Sequence, residues 1–152
     1  MSIVKALFGN TKKYIENIFF GEIQIRKLKN GNFLFISKRH FSPIKKKIEI
    51  SIEGNEFDKL DFANSFFEKI EFSYQEITYA VTPIIEDTLK NWKEDFKIIN
   101  FYKEFRPIYL HLPINESTQS NWEIVFETIH DPNHQFTIIM SDMEAKEINI
   151  DG

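Results

Sequence analysis

The sequence predicts one α+β domain, with antiparallel strands at both ends of the chain and two helices between them. Three observations carry that expectation. Apolar and polar residues alternate over 20–52 and again over 108–150, the period of strands with one buried face. Over 57–92 the apolar spacing changes to three and four, the period of an amphipathic helix. The 152 residues include 16 Phe, 5 Tyr and 2 Trp against only 5 Gly and 5 Pro, enough apolar bulk for one core and unlike a low-complexity chain. No internal repeat or linker composition divides the chain, so 1–152 reads as a single compact domain.

The first element is a hairpin over 20–37. Ile23 and Ile25 lead in, Asn30-Gly31 offers a two-residue turn with positive φ, and Phe33, Leu34, Phe35 and Ile36 lead out. Pairing about that turn sets Ile25 opposite Ile36 and Leu28 opposite Phe33, on opposite faces of the ribbon. Beyond a Ser42-Pro43 break, Ile48, Ile50 and Ile52 alternate with Lys47, Glu49 and Ser51, which predicts a third strand with one buried face. Gly54-Asn55 ends it.

Phe57, Leu60, Ala63, Phe67 and Ile70 share one face of the first helix. Ser73 and Glu76 have the spacing of a capping box, in which each side chain satisfies the other's backbone N–H, so a second helix starts there. Its stripe is Ile77, Val81, Ile84, Thr88 and Trp92. Pro83 lies inside that stripe, where the missing N–H predicts a kink or a division into two helices. Residues 91–106 are charged and weakly periodic and read as a connection with one short helical turn. A C-terminal meander follows, with strands over 108–112, 121–129, 135–140 and 147–150. Trp122, Ile124 and Phe126 share one of its faces, Glu123 and Glu127 the other, and Phe136, Ile138 and Met140 repeat the alternation.

Charge is divided along the chain. Residues 1–50 hold eleven Lys/Arg and three acids, a balance of +8, while 51–152 hold eight and twenty, a balance of −12. The C-terminal strands carry Glu116, Glu123, Glu127, Asp131, Asp142, Glu144, Glu147 and Asp151 with only Lys146 as counter-charge. Acidic strand exteriors repel one another unless the basic half or a positive partner relieves them, and such a surface steers a basic macromolecule. The first seven of these acids are therefore the expected partner contacts.

Several chemistries find no support in the sequence. Without cysteine there is no disulfide, thiolate metal site or thiol nucleophile. No Gly-x-Ser-x-Gly elbow and no glycine-rich phosphate cradle is present, and Ser117, Ser120 and Ser141 fall in polar loops. His130-Asp-Pro-Asn-His134 puts two imidazoles four residues apart, the one cluster on which a small metal-dependent enzyme could be built. It reads as a turn, because Asp-Pro-Asn separates two strand patterns and does not hold the rings convergently. Lys38-Arg39-His40 and Lys45-Lys46-Lys47 lie among Phe33, Phe35 and Phe41 and give a nucleic-acid-binding module as the alternative. The −12 of the remaining chain opposes a polyanion, and strand-edge lysines also serve to block unwanted pairing.

Residues 1–9 lack the apolar block of a secretory signal, and no apolar run approaches a membrane span, so the chain reads as cytoplasmic. Its heavy use of Lys, Ile, Asn and Phe matches AT-rich bacterial coding.

Phe19-Phe-Gly-Glu-Ile23 resembles the aromatic-Gly-Glu-Ile entry into the first hairpin of a group of small bacterial α+β domains. Trp122-Glu-Ile-Val-Phe-Glu127, Asp131 with His134, the strand over 136–140 and the closing Ile150-Asp-Gly152 resemble their terminal meander. The group includes immunity proteins encoded beside polymorphic or contact-dependent toxins. The resemblance implies a non-enzymatic protein without cofactor or metal that binds and blocks its own toxin, a basic one by charge. Trp122, His134 and Asp151 transfer as framework residues, and no toxin-contact residue transfers.

Overall fold

The computed structural model describes residues 13–119 and 121–151. The expectations for 1–9, Ser120 and Gly152 fall outside them. Among the described residues, three α-helices and eight strands form a mixed α+β architecture, the strands being β1 Lys13–Asn17, β2 Gly21–Lys27, β3 Phe33–Phe41, β4 Lys46–Gly54, β5 Phe105–Leu112, β6 Trp122–Thr128, β7 Gln135–Ser141 and β8 Glu144–Asp151. They lie side by side in chain order in a single sheet. Each neighbouring pair is antiparallel except β4–β5, which is parallel. A parallel pair cannot be closed by a tight turn. Residues 55–104 supply the crossover and carry α1 Asp61–Phe72, α2 Tyr74–Leu89 and the short α3 Phe101–Glu104. The N-terminal ribbon and the C-terminal meander are therefore two halves of one mixed sheet, not two purely antiparallel pieces.

One sheet face and the helices make the core. Ile23, Ile25, Phe35, Ile48, Ile50, Ile52, Leu110, Leu112, Trp122, Ile124, Phe126, Phe136, Ile138 and Met140 are all buried, as the alternation in the sequence predicts. Ala63, Phe66, Phe67 and Ile70 of α1 and Tyr74, Ile77, Val81, Ile85 and Leu89 of α2 oppose them. Aromatic edges fill the junctions: Phe41 meets Phe67 and Tyr74 edge-on at 5.8 and 5.3 Å, and Phe66 meets Trp122 at 5.5 Å. The Trp122 indole N–H donates to the carbonyl of Asp142 at 2.6 Å. α2 lies alongside β8.

Four local expectations are corrected. The β2–β3 loop is longer than two residues: the Leu28 N–H donates to the Asn32 carbonyl at 2.7 Å, and the Asn30 side chain accepts from the Asn32 N–H at 2.9 Å. Gly31, at φ +90°, supplies the left-handed step. Ile25 accordingly stands opposite Phe35, not Ile36, and Lys27 stands opposite Phe33. That one-residue slip gathers Ile23, Ile25 and Phe35 on the covered face.

The Ser73 side chain makes no cap hydrogen bond. Its backbone, at φ −99° and ψ 14°, ends α1 through an N–H to the Lys69 carbonyl and begins α2 through its own carbonyl, which leaves no extended residue for a capping box. Pro83 does not divide α2 into two helices, since it lies inside one element. Phe57 and Trp92 are exposed and lie beyond the helix ends, and Ile85, in place of Ile84, is fully buried. β1 has no counterpart in the sequence reading.

Candidate functional site

The second face of the sheet is where the chain brings distant polar groups together. Paired positions form a continuous row across all eight strands: Tyr14, Gln24, Ile36, Ser51, His111, Glu123, Ile139 and Glu147. Beside it runs a second row of Lys38, Glu49, Tyr109, Val125, Thr137 and Asn149. A bulge between Pro107 and Tyr109 produces this arrangement. Before it Phe105 and Pro107 face the core; after it Leu110 and Leu112 do, and Tyr109 and His111 turn to the open side. Proline, with no N–H for the ladder, suits the break.

Ser51 stands at the centre. Its hydroxyl bonds the Tyr109 hydroxyl and lies 2.7 Å from His111 Nδ1. The sequence places Ser51 on the polar side of β4, yet it is only 1 % exposed, because the two larger side chains of β5 cover it. Burial pushes the His111 imidazole below its ordinary 6.5, against the opposing fields of Glu123 and Glu53, so the ring is neutral near pH 7. Burial also raises the Tyr109 phenol, with Glu123 and Glu49 acting in the same direction and the Ser51 hydrogen bond against it. A neutral imidazole has one donor and one acceptor. Ser51 can donate to one of its two neighbours while accepting from the other, so the three side chains form one connected hydrogen-bond chain. Ser51 itself is too enclosed to meet a substrate.

Glu49, Glu53, Glu123 and Glu147 surround or extend this cluster, and among the described residues none of them is in an ion pair. Glu53 is held by the Asn32 and Asn30 side-chain amides at 2.9 and 3.3 Å, which outweigh its desolvation and lower its pKa.

The expected partner contacts are distributed over the molecule. Glu123 and Glu147 belong to the open-face row. Glu127 also opens to that side but pairs with Arg106. Glu116 lies in the short 3-10 turn after β5, while Asp142 and Glu144 lie at the β7–β8 turn, with Glu144 2.6 Å from Lys146. Asp131 is at the opposite strand end and contacts His134 Nδ1 at 2.7 Å.

The two histidines of the 130–134 segment take separate partners. His130 Nε2 lies 2.7 Å from Glu104 Oε1, and its ring meets Phe96 edge-on at 4.8 Å. Burial alone would raise the Glu104 carboxyl, but the Asn100 and Ile99 N–H groups and His130 hold it below the ordinary carboxylate range. This is a structural lock on the start of β5. Among the described residues no three His, Asp or Glu side chains are grouped to hold a metal ion. The basic cluster is divided as well. Lys38, His40 and Lys47 face the open side. Arg39 faces the core, donating to Asn64 Oδ1 at 2.5 Å with its guanidinium 4.3 Å over the Phe67 ring.

Among the described residues no helix is long and apolar enough to cross a membrane. Comparison with family models, with curated proteins and with solved structures gives no match.

Proposed function

We propose that this chain is an immunity-type protein that acts in the cytoplasm, neutralising a cognate basic protein toxin by covering it with the open face of the sheet. One observation supports the reading above others: a half-buried Tyr109–Ser51–His111 cluster, flanked by Ile36, Val125 and Ile139, is bordered by Glu49, Glu53, Glu123 and Glu147 without ion-pair partners among the described residues. An aromatic, low-charge centre with a charged rim is the arrangement through which proteins bind proteins. The His111 ring adds a polar group at the centre, and the rim attracts cations. Glu123 and Glu147 are the leading contacts. Glu116 and Asp142 extend the surface at one strand end, whereas Glu127, Asp131 and Glu144 are already engaged by Arg106, His134 and Lys146. The resemblance to small bacterial immunity domains points the same way.

The test is co-expression with the toxic domain encoded by the neighbouring gene. Growth should be restored, and the two proteins should purify as a complex. Glu123→Lys with Glu147→Lys should slow association on the order of tenfold at low salt, with the difference shrinking as salt rises. An unchanged rate at low salt removes the open face from the reading, and absence of a complex removes the reading itself.

A further inference from the structure

The strand end opposite Asp142 carries a second concave site. A cavity of about 640 Å³ opens between the β3–β4 turn and the β6–β7 turn, with α3 as its third side. Its walls include Ile44, Tyr102, Ile129 and Pro132, and two of these are exposed, Ile129 at 68 % and Tyr102 at 49 %. Five charged residues line it: Lys46, Lys103, Arg106, Glu104 and Glu127.

Both carboxylates are engaged. Glu104 accepts from two backbone N–H groups and meets His130, and Glu127 pairs with Arg106. Lys46 and Lys103 have no ion-pair partner among the described residues. Three cations against two carboxylates leave a balance of +1 at the mouth of an apolar-walled cavity of the size that holds small ligands. The floor is fixed by the Glu104 lock, which anchors α3 and the start of β5.

We propose that this cavity binds a small organic monoanion with an apolar or aromatic body, its head held by Lys46 and Lys103 and its body against Ile44, Tyr102 and Ile129. The site is distinct from the central cluster, to which none of its charges belongs, although Arg106 and Glu127 open to the same side of the sheet. A polyanion fits less well: one net charge suits one anionic head, and Tyr102 is the only aromatic wall.

The probe is 8-anilinonaphthalene-1-sulfonate, titrated against the intact protein by fluorescence and by amide chemical-shift mapping. Saturable binding at one site is expected, with shifts concentrated at Ile44, Tyr102, Thr128 and Ile129. Lys46→Ala with Lys103→Ala should weaken it by about tenfold, as expected for loss of charge-assisted contacts. Lys38→Ala with Lys47→Ala, on the open face, should leave it unchanged. Both pairs are exposed, and an unchanged amide spectrum away from the substitutions shows that the fold is kept. Shifts centred elsewhere, equal affinity in the Lys46/Lys103 variant, or equal binding of the neutral N-phenyl-1-naphthylamine would overturn the proposal. Tighter binding of a single-stranded oligonucleotide, with shifts at Lys38, Lys45 and Lys47, would overturn it in favour of a nucleic-acid groove.

Discussion

The two faces of the same sheet are specified by different physics. In β4, Ile48, Ile50 and Ile52 lie under the helices at 3 % exposure or less, while Glu49, Ser51 and Glu53 occupy the other side. On the covered face each position needs only to be apolar and of suitable volume, and its stability comes from area removed from water. On the open face the central positions depend on one another: Ser51 is buried because Tyr109 and His111, some sixty residues later, lie over it. The first kind of order is local in sequence and tolerant of exchange. The second is non-local and depends on which strands become neighbours.

The largest effect separating the faces is expected at Trp122, fully buried against Phe66 and hydrogen-bonded to Asp142. Trp122→Ala should cost about 3–5 kcal/mol in urea denaturation. A loss below about 1 kcal/mol would show that the covered face does not hold the fold.

A smaller effect belongs to the central cluster. Ser51→Ala removes the hydroxyl between Tyr109 and His111 and should cost about 1 kcal/mol. His111 adds a pH signature. Its folded pKa is depressed below the ordinary 6.5, so the unfolded chain binds the proton more readily. Its contribution is complete above about 6.5 and is lost as pH falls through that value toward the folded pKa. His111→Gln should flatten this part of the stability curve, and a slope unchanged by that substitution would place the ring in solvent.

The smallest effect has the opposite sign. The Tyr74 hydroxyl is buried on the covered side with no hydrogen-bond partner among the described residues. Tyr74→Phe should stabilise the protein by up to about 1 kcal/mol, since an orphaned polar group costs desolvation without return. Destabilisation would mean that a polar group satisfies the hydroxyl in solution.

This contrast explains what the sequence made legible. The covered residues of β6 and β7 alternate over six or more positions, and all of Trp122, Ile124, Phe126, Phe136, Ile138 and Met140 are buried as that alternation predicts. The α+β class followed from the same kind of signal, as did Ala63, Phe67, Ile70, Ile77 and Val81 of the helix stripe, whereas Phe57 and Trp92 lie outside the helices. The β2–β3 register did not, because Asn30-Gly31 suits a two-residue turn while the Leu28–Asn32 hydrogen bond closes a longer one. Nor did the open-face site. Glu123 was visible as an outward carboxylate, but its nearness to His111 and Tyr109 depends on the β5–β6 register and on the bulge at Pro107. Ser51 beside His111 required the parallel pairing of β4 with β5, for which no residue pattern in either strand is a sign. Equally, Arg39 is indistinguishable from Lys38 in a basic run, although adjacent residues on a strand face opposite sides.

The parallel β4–β5 junction also bears on how the polypeptide reaches this shape. On either side of it, every strand pairs with its immediate successor, so hairpins can form within each half on local contacts alone. Registering Glu49 with Tyr109 must wait until the intervening crossover has been drawn in, a loop closure of high contact order. Closing that seam is the step expected to limit folding: substitutions along it should be read in the refolding rate, and those in the outermost ribbons chiefly in the rate of unfolding.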